Sequence, residues 1–293
     1  MALKVLLLAA SIVLAVVFVL AFATSNSCTR SIRFVHGPEV FMLRNTSADD
    51  LVIGVLTSPE TVYRAIALAN TWKRRSPSKV VIYGAEMSPT PPPQVPQYPW
   101  RLPTDESREV VYPEIVNLPV KAGHAHFVAN ETVAMLKLLY ASFPHKKWYM
   151  KCDDDTFVIV SNLLMALDKR NSSEDLFLGR TISDGLLHSG GAGYVLSQSA
   201  ISKLLTTIDT CLEAAPIGAG EDLIIAGCLR KYHGILPTLQ MGHYFSHVHQ
   251  TRTAFRDEHA EGLVQFPISF HWIQPEEMYT YDYLTFHAQV ISF

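Results

Sequence analysis

Apolar runs of the buried-strand kind alternate along this chain with stretches of helical spacing. The first, Leu51-Val52-Ile53-Gly54-Val55-Leu56-Thr57, shows no polar alternation, the pattern of a parallel strand covered on both faces. Ser58-Pro59-Glu60 reads as a helix start, and Thr61 to Arg74 carries helical spacing with Ile66 and Ala69 inward. Lys79 to Tyr83 is the next strand, so the segment opens as a β-α-β unit. Pro89 to Pro103 reads as an exposed loop and Val110-Val111-Tyr112 as a further strand. A helix is expected from Phe127 to Phe143, ending before Pro144, then a strand from Lys147, giving a second β-α-β unit. A helix over Ser161 to Leu167 is expected to be capped by Ser161, and Leu176-Phe177-Leu178-Gly179 is another strand. One more helix starts near Ser197 and one at Glu221-Asp222, and Ile268-Ser269-Phe270-His271-Trp272 is a short strand. The sum is an α/β fold with a mostly parallel sheet and ligands at the strands' carboxyl ends. No G-x-G-x-x-G follows the first strand, so a dinucleotide site is not expected.

Ahead of this pattern, Val5 to Ala23 is an apolar run of 19 residues broken only by Ser11. As a helix it spans roughly 28 Å, about one hydrocarbon core. Ala21-Phe22-Ala23 is an A-x-A ending, so a cleaved signal peptide is the competing reading; the length favours an uncleaved anchor. The division expected is 1–4 cytoplasmic tail, 5–23 transmembrane signal-anchor, 24–50 stem and 51–293 lumenal catalytic domain. Lys4 sets the type II orientation, although Arg30 and Arg33 on the far side weaken that signal. Three sequons, at Asn45, Asn130 and Asn171, agree with entry into the secretory lumen.

With 293 residues, 48% of them hydrophobic, the chain has ample core for one large domain or two modest ones. A net charge of −3 with no basic stripe argues against nucleic acid as a partner. An oxidising lumen permits disulfides, and Cys211 with Cys228, flanking one acidic motif, is the expected pair. Cys152 falls inside a strand and reads as a buried thiol. Cys28 either links two copies into a homodimer or does nothing.

The candidate chemistry begins where the strand from Lys147 runs into Asp153-Asp154-Asp155. Three adjacent carboxylates near a core cost several kcal/mol unless something positive sits beside them. In an extended segment Asp153 and Asp155 share a face, so both can hold one hard cation, Mg²⁺ or Mn²⁺, while Asp154 points away. The competing reading is a strand-end turn with solvated acids. In His188-Ser189-Gly190-Gly191-Ala192-Gly193, the glycines allow close approach of backbone to a ligand, or merely a tight turn before a helix. Glu221 and Asp222 sit where a helix dipole favours acids, so capping competes with catalysis there. His243, His247 and His249 lack Cys or Glu at metal spacing and are not read as a zinc site.

KCDDDTFVI, SGGAGYVLS, GEDLIIAGC and ISFHWIQPEEMY occur in series behind an anchor and stem. Together they resemble the β1,3-glycosyltransferase family that includes Fringe and core 1 galactosyltransferase, with the core 1 branch nearer, over roughly Leu51 to Phe286. The resemblance implies a GT-A fold, a Rossmann-like mixed sheet flanked by helices. It also implies an inverting, Mn²⁺-dependent transfer of galactose from UDP-galactose to O-linked GalNAc on glycoproteins in the Golgi. By position, Asp153, Asp155 and His271 fall on the metal ligands, and Asp222 on the catalytic base with Glu221 beside it. Thr57 falls on the uridine-side loop, Asp153 and Asp154 on the donor motif, and Gly190, Gly191 and Gly193 on the sugar site. Where the family carries a cationic pair, this chain has Gly123-His124 and Asn130, leaving Lys121 or Arg64 as candidates for the diphosphate's support. The stretch from His249 to Pro267 is also shorter than the family's. Two alternatives are a Fringe-like transfer of GlcNAc to fucose and a catalytically silent lumenal chaperone or lectin.

Overall fold

Among the described residues seven strands of one mixed sheet carry the fold, in the spatial order Pro237–Thr238, Phe177–Gly179, Tyr194–Ser197, Trp148–Asp153, Leu51–Thr57, Lys79–Ala85 and Ile115–Leu118. The computed structural model describes residues 46–87, 110–121, 128–216, 218–238, 245–247 and 267–286. The expected anchor, the proline-rich loop, Gly123, His124 and the stretch 249–266 lie outside them, as does most of the stem. Among the described residues no helix is long and apolar enough to cross a membrane.

The strands are β1 Leu51–Thr57, β2 Lys79–Ala85, β3 Ile115–Leu118, β4 Trp148–Asp153 and β5 Phe157–Val158. They continue with β6 Phe177–Gly179, β7 Thr181–Ile182, β8 Leu187–His188, β9 Tyr194–Ser197, β10 Pro237–Thr238, β11 Phe245–His247 and β12 Ser269–His271. The helices are α1 Val62–Asn70, α2 Trp72–Arg75, α3 Ala129–Ser142, α4 Val160–Leu167, α5 Gln198–Glu213, α6 Glu221–His233 and α7 Pro275–Phe286. Strands β1 to β4 run parallel, and β9 enters antiparallel between β4 and β6. A second, three-stranded sheet, β11-β12-β5, joins the late chain to the middle of the sequence.

Every residue of β1 is buried, as its unbroken apolar run requires. Leu51, Ile53 and Val55 face the core shared with Trp72 and α4, while Val52 and Leu56 face the core shared with α3, α5 and α6. Gly54 lies on the second face, where an added Cβ would stand 3.1 Å from Met135 Sδ and 3.2 Å from Leu139 Cδ2. The missing side chain lets α3 settle directly on the strand.

Several local expectations shift. Val110-Val111-Tyr112 is exposed and no strand: the Asn70 side chain takes both the Val111 N–H and its carbonyl, and the strand forms later as β3. The helix expected over Thr61 to Arg74 breaks at Thr71, whose hydroxyl donates back to the Ala67 carbonyl at 2.8 Å. Ser161 caps nothing, because Ile159 N–H bonds Ile268 O at 2.8 Å and α4 begins at once. Ser197 does cap α5, its hydroxyl accepting from Ala200 N–H at 3.1 Å. Cys211 on α5 is bonded to Cys228 on α6, 17 residues apart, and Cys152 is a buried free thiol.

That bridge ties the helix bearing Glu221 and Asp222 to its neighbour. Replacing both cysteines by serine should lower unfolding free energy by about 3 kcal/mol in urea titrations, the loop-closure expectation for a ring of this size.

Candidate active site

Strand β4 delivers Asp153 to the carboxyl edge of the main sheet, where it pairs with Leu56 of β1. The chain then turns sharply: Asp154 N–H bonds Leu56 O, and Thr156 N–H bonds Asp153 O, before β5 begins. Three other segments pin this turn. Trp72 Nε1 donates to Thr156 O (2.9 Å), Thr156 Oγ1 donates to Gly191 O (2.6 Å), and Ile273 N–H donates to Asp155 O (3.0 Å).

The three carboxylates take different partners. Asp153 Oδ1 lies 2.8 Å from Lys151 Nζ. Burial alone would raise its pKa, but the charges of Lys151 and then His271 hold it below the ordinary value. Asp154 turns the other way, its Oδ2 accepting from Thr57 Oγ1 at 2.7 Å and Thr61 Oγ1 at 2.6 Å. Burial pushes Asp154 up to about 7, against the opposing pull of those two hydroxyls. Asp155 Oδ2 accepts from Arg64 Nη1 at 3.3 Å. Asp155 Oδ1 lies 3.2 Å from His271 Nε2, yet it is buried and makes no hydrogen bond among the described residues.

That last geometry is the fit test for a metal ion. Asp153, Asp155 and His271 each offer a ligand atom, and these atoms lie within 4.8 Å of one another. Two carboxylate oxygens and one imidazole nitrogen suit a first-row divalent ion such as Mn²⁺, and three ligands leave positions for substrate oxygens. The residues present fit the ion.

A family model described as Fringe-like matches residues 114–283. The chain belongs to the Fringe-like family. Glycoprotein-N-acetylgalactosamine 3-beta-galactosyltransferase 1 of Xenopus laevis is 26% identical over 266 residues, covering 80% of this chain and 66% of that protein. N-acetyllactosaminide beta-1,3-N-acetylglucosaminyltransferase 4 of Homo sapiens is 26% identical over 221 residues, covering 66% of this chain and 54% of that one. The chain thus spans less than two thirds of either relative's length. Among solved structures, a glycosyltransferase involved in the glycosylation of the major capsid of PBCV-1 superposes with TM-score 0.47 at 12% identity, over 80% of this chain and 98% of that one.

In this Fringe-like chain the residues singled out from sequence fall into three groups. Asp153, Asp155 and His271 come together from the two sheets, through β12 pairing with β5. Thr57 is beside them but serves Asp154 through its hydroxyl. Lys121 is exposed just past β3, three strands from β4 in the sheet, whereas Arg64 reaches Asp155 and comes within 3.8 Å of Asp154; of the two candidate cations, the structure brings Arg64 to the site.

Gly190 and Gly191 also have a reason inside the protein. A Cβ on Gly190 would fall 1.7 Å from Glu221 Oε1, and one on Gly191 would fall 2.1 Å from the His271 ring. They make room for this chain's own site side chains. Gly193 has φ +90°, a backbone that other residues rarely adopt.

Glu221 and Asp222 part company at the start of α6. Glu221 is buried, with Oε1 2.7 Å from Lys151 Nζ and Oε2 accepting from Tyr194 OH at 3.3 Å. Asp222 is half-buried, with Oδ1 accepting from Leu223 N–H at 2.9 Å. Glu221, read from sequence as catalytic, is therefore engaged inside the protein, and Asp222 holds the outward position. Sequence reasoning passed over Lys151, Thr61 and Tyr194. For Lys151 a signal was present: one lysine within Trp148-Tyr149-Met150-Lys151-Cys152, whose other four residues are apolar or aromatic.

Gly191→Ala places a methyl group inside the His271 ring and should displace it. Because Gly191 is not among the glycines with positive φ, the substitution should leave the fold standing. Mn²⁺ affinity, measured calorimetrically with the metal alone, should fall at least about tenfold, as for other displaced ligand shells, while thermal unfolding shifts by a few degrees.

Proposed function

We propose that this chain is an inverting, Mn²⁺-dependent β1,3-galactosyltransferase, moving galactose from UDP-galactose to O-linked GalNAc on glycoproteins. The observation that carries it is the gathering of Asp153, Asp155 and His271, ligand atoms within 4.8 Å of one another, at the carboxyl edge of the sheet. The name of the Xenopus laevis relative supports the choice of sugars. The apolar run Val5 to Ala23 and the three sequons support a Golgi enzyme with its catalytic domain in the lumen, held by a type II anchor. Cys28 would lie just beyond that anchor and can join two copies.

When bound, the ion supplies positive charge against the departing diphosphate. Asp153, Asp155 and His271 would hold it, and Arg64 adds a fixed cation at the same rim. Asp222 takes the proton from the acceptor hydroxyl as that oxygen attacks the anomeric carbon opposite UDP, which inverts the configuration. Holding acceptor and donor in line removes much of the entropic part of the barrier. The GT-A arrangement expected from the resemblance gives each partner one half of the cleft.

The test is an assay of the protein against UDP-galactose, UDP-GlcNAc and UDP-glucose, with GalNAc-peptide and fucose-peptide acceptors. Turnover of UDP-galactose onto GalNAc-peptide, lost in EDTA and restored by Mn²⁺, is the expected result. GlcNAc transfer to fucose would replace the sugars and keep the mechanism. Asp155→Ala should abolish both metal binding and transfer. Asp222→Asn should keep UDP–Mn²⁺ binding while transfer falls by about 10²–10⁴, the usual share of a general base; equal loss of both would mean that Asp222 is not the base.

A further inference from the structure

We propose that Lys151 is a positioning residue for this reaction, one ammonium holding both a metal-facing carboxylate and the start of the helix that bears the base. The proposal rests on the metal-dependent reading above. Lys151 is 1% exposed in the middle of β4, between Met150 and Cys152 at 0%. It stands opposite Gly54 on β1 and Tyr194 on β9, away from the strand's open end. Burying an ammonium there is costly, and an apolar side chain of similar volume would serve the sheet at least as well. Its retention calls for something that only the charge provides.

The charge has two partners in separate parts of the chain. Lys151 Nζ lies 2.8 Å from Asp153 Oδ1 and 2.7 Å from Glu221 Oε1. Asp153's side chain is 33% exposed, so without that contact it can swing into solvent and away from His271. Glu221 is the first residue of α6 and adjoins Asp222. Gly190 belongs to the same arrangement, since a Cβ there would strike Glu221 Oε1 and stand 3.3 Å from Lys151 Nζ. Tyr194 closes it from β9 by donating to Glu221 Oε2. Two sequence motifs meet at one nitrogen and the glycine-rich loop packs beside them, which fixes the distance between the metal-facing acid and the base-bearing turn.

The experiment titrates the full-length chain in detergent with MnCl₂ alone, reading free Mn²⁺ by EPR. The variants are wild type, Asp155→Ala, Lys151→Gln, and the double variant Lys151→Met with Glu221→Met. The double variant removes both buried charges together, so the interior keeps no unpaired ion. Near-UV circular dichroism and thermal unfolding report the fold. With the fold kept, the Mn²⁺ dissociation constant should still rise about 10- to 100-fold in both Lys151 variants, the range for lost supporting contacts to a ligand. At saturating Mn²⁺, turnover should remain below wild type, because the start of α6 has lost its anchor. A merely structural ion pair predicts recovery of metal affinity along with stability, so wild-type affinity in either folded variant overturns the proposal and leaves the metal site standing. Failure of both variants to fold would also overturn it, by making Lys151 a requirement of the fold. If wild type binds no Mn²⁺, or Asp155→Ala binds it unchanged, the metal-dependent reading itself falls, a result distinct from the others.

Discussion

Consecutive carboxylates at the end of a buried strand repel one another, and the carboxyl edge of this sheet is built around separating them. Asp153 is drawn inward to Lys151, Asp154 is turned back onto the hydroxyls of Thr57 and Thr61, and Asp155 is directed toward Arg64 and His271. The partners differ in kind for a physical reason. Hydroxyl donors only partly stabilise charge, so burial prevails at Asp154 and raises its pKa to about 7. The ammonium beside Asp153 outweighs burial and keeps that group ionised. The triplet thus contains two chemistries, one structural acid between two that face a common point.

Separating the acids demands that distant parts of the chain be brought within a few ångströms. β12 does this from the late sequence by pairing antiparallel with β5, so that His271 arrives beside the turn carrying Asp155. The loop before β9 does it from the middle, and it is fastened to both: Thr156 Oγ1 donates to Gly191 O, and Ser269 Oγ donates to Ala192 O. Because that loop lies against the His271 ring and the Glu221 carboxylate, it has no space for side chains. The adjoining Trp272 has φ +63° and its ring stacks near His271 at 5.0 Å between centroids. A left-handed tryptophan is strained, and its place next to His271 marks how tightly this corner is determined by its neighbours.

Much of this was legible in the residues, for reasons that can be named. The unbroken run of β1 and the helix capped by Ser197 are local signals, and the structure follows them. Alternation along an extended segment puts Asp153 and Asp155 together and Asp154 apart, and their ligand atoms do meet even though the chain turns after Asp153 and does not stay extended. The failures were non-local. Val111 gives up its place in a strand to the Asn70 side chain, and α4 starts at Val160 because Ile159 is held by Ile268 across the fold. No window around Val111 or Ser161 contains those partners. The internal reason for Gly190 and Gly191 is equally non-local, since the side chains that need the space, Glu221 and His271, lie 31 and 80 residues further on.

The neighbouring acids Glu221 and Asp222 show how one helix turn can hold two unlike carboxylates. Successive residues on a helix point about 100° apart, so if one faces the core the next cannot. Glu221 takes the inward direction, where burial pushes its pKa up while Lys151 supplies the opposing charge. Asp222 is left at the rim, in the first turn of the helix. A side chain that meets an acceptor must be reachable from outside, and of the two only Asp222 is turned outward. The inward acid is out of reach, and its salt bridge to Lys151 fixes the turn on which the other stands. Exchanging the two side chains would keep composition, net charge and helix propensity nearly constant. It would also shorten the arm that reaches Lys151 by one methylene and lengthen the one at the rim, disturbing both tasks at once.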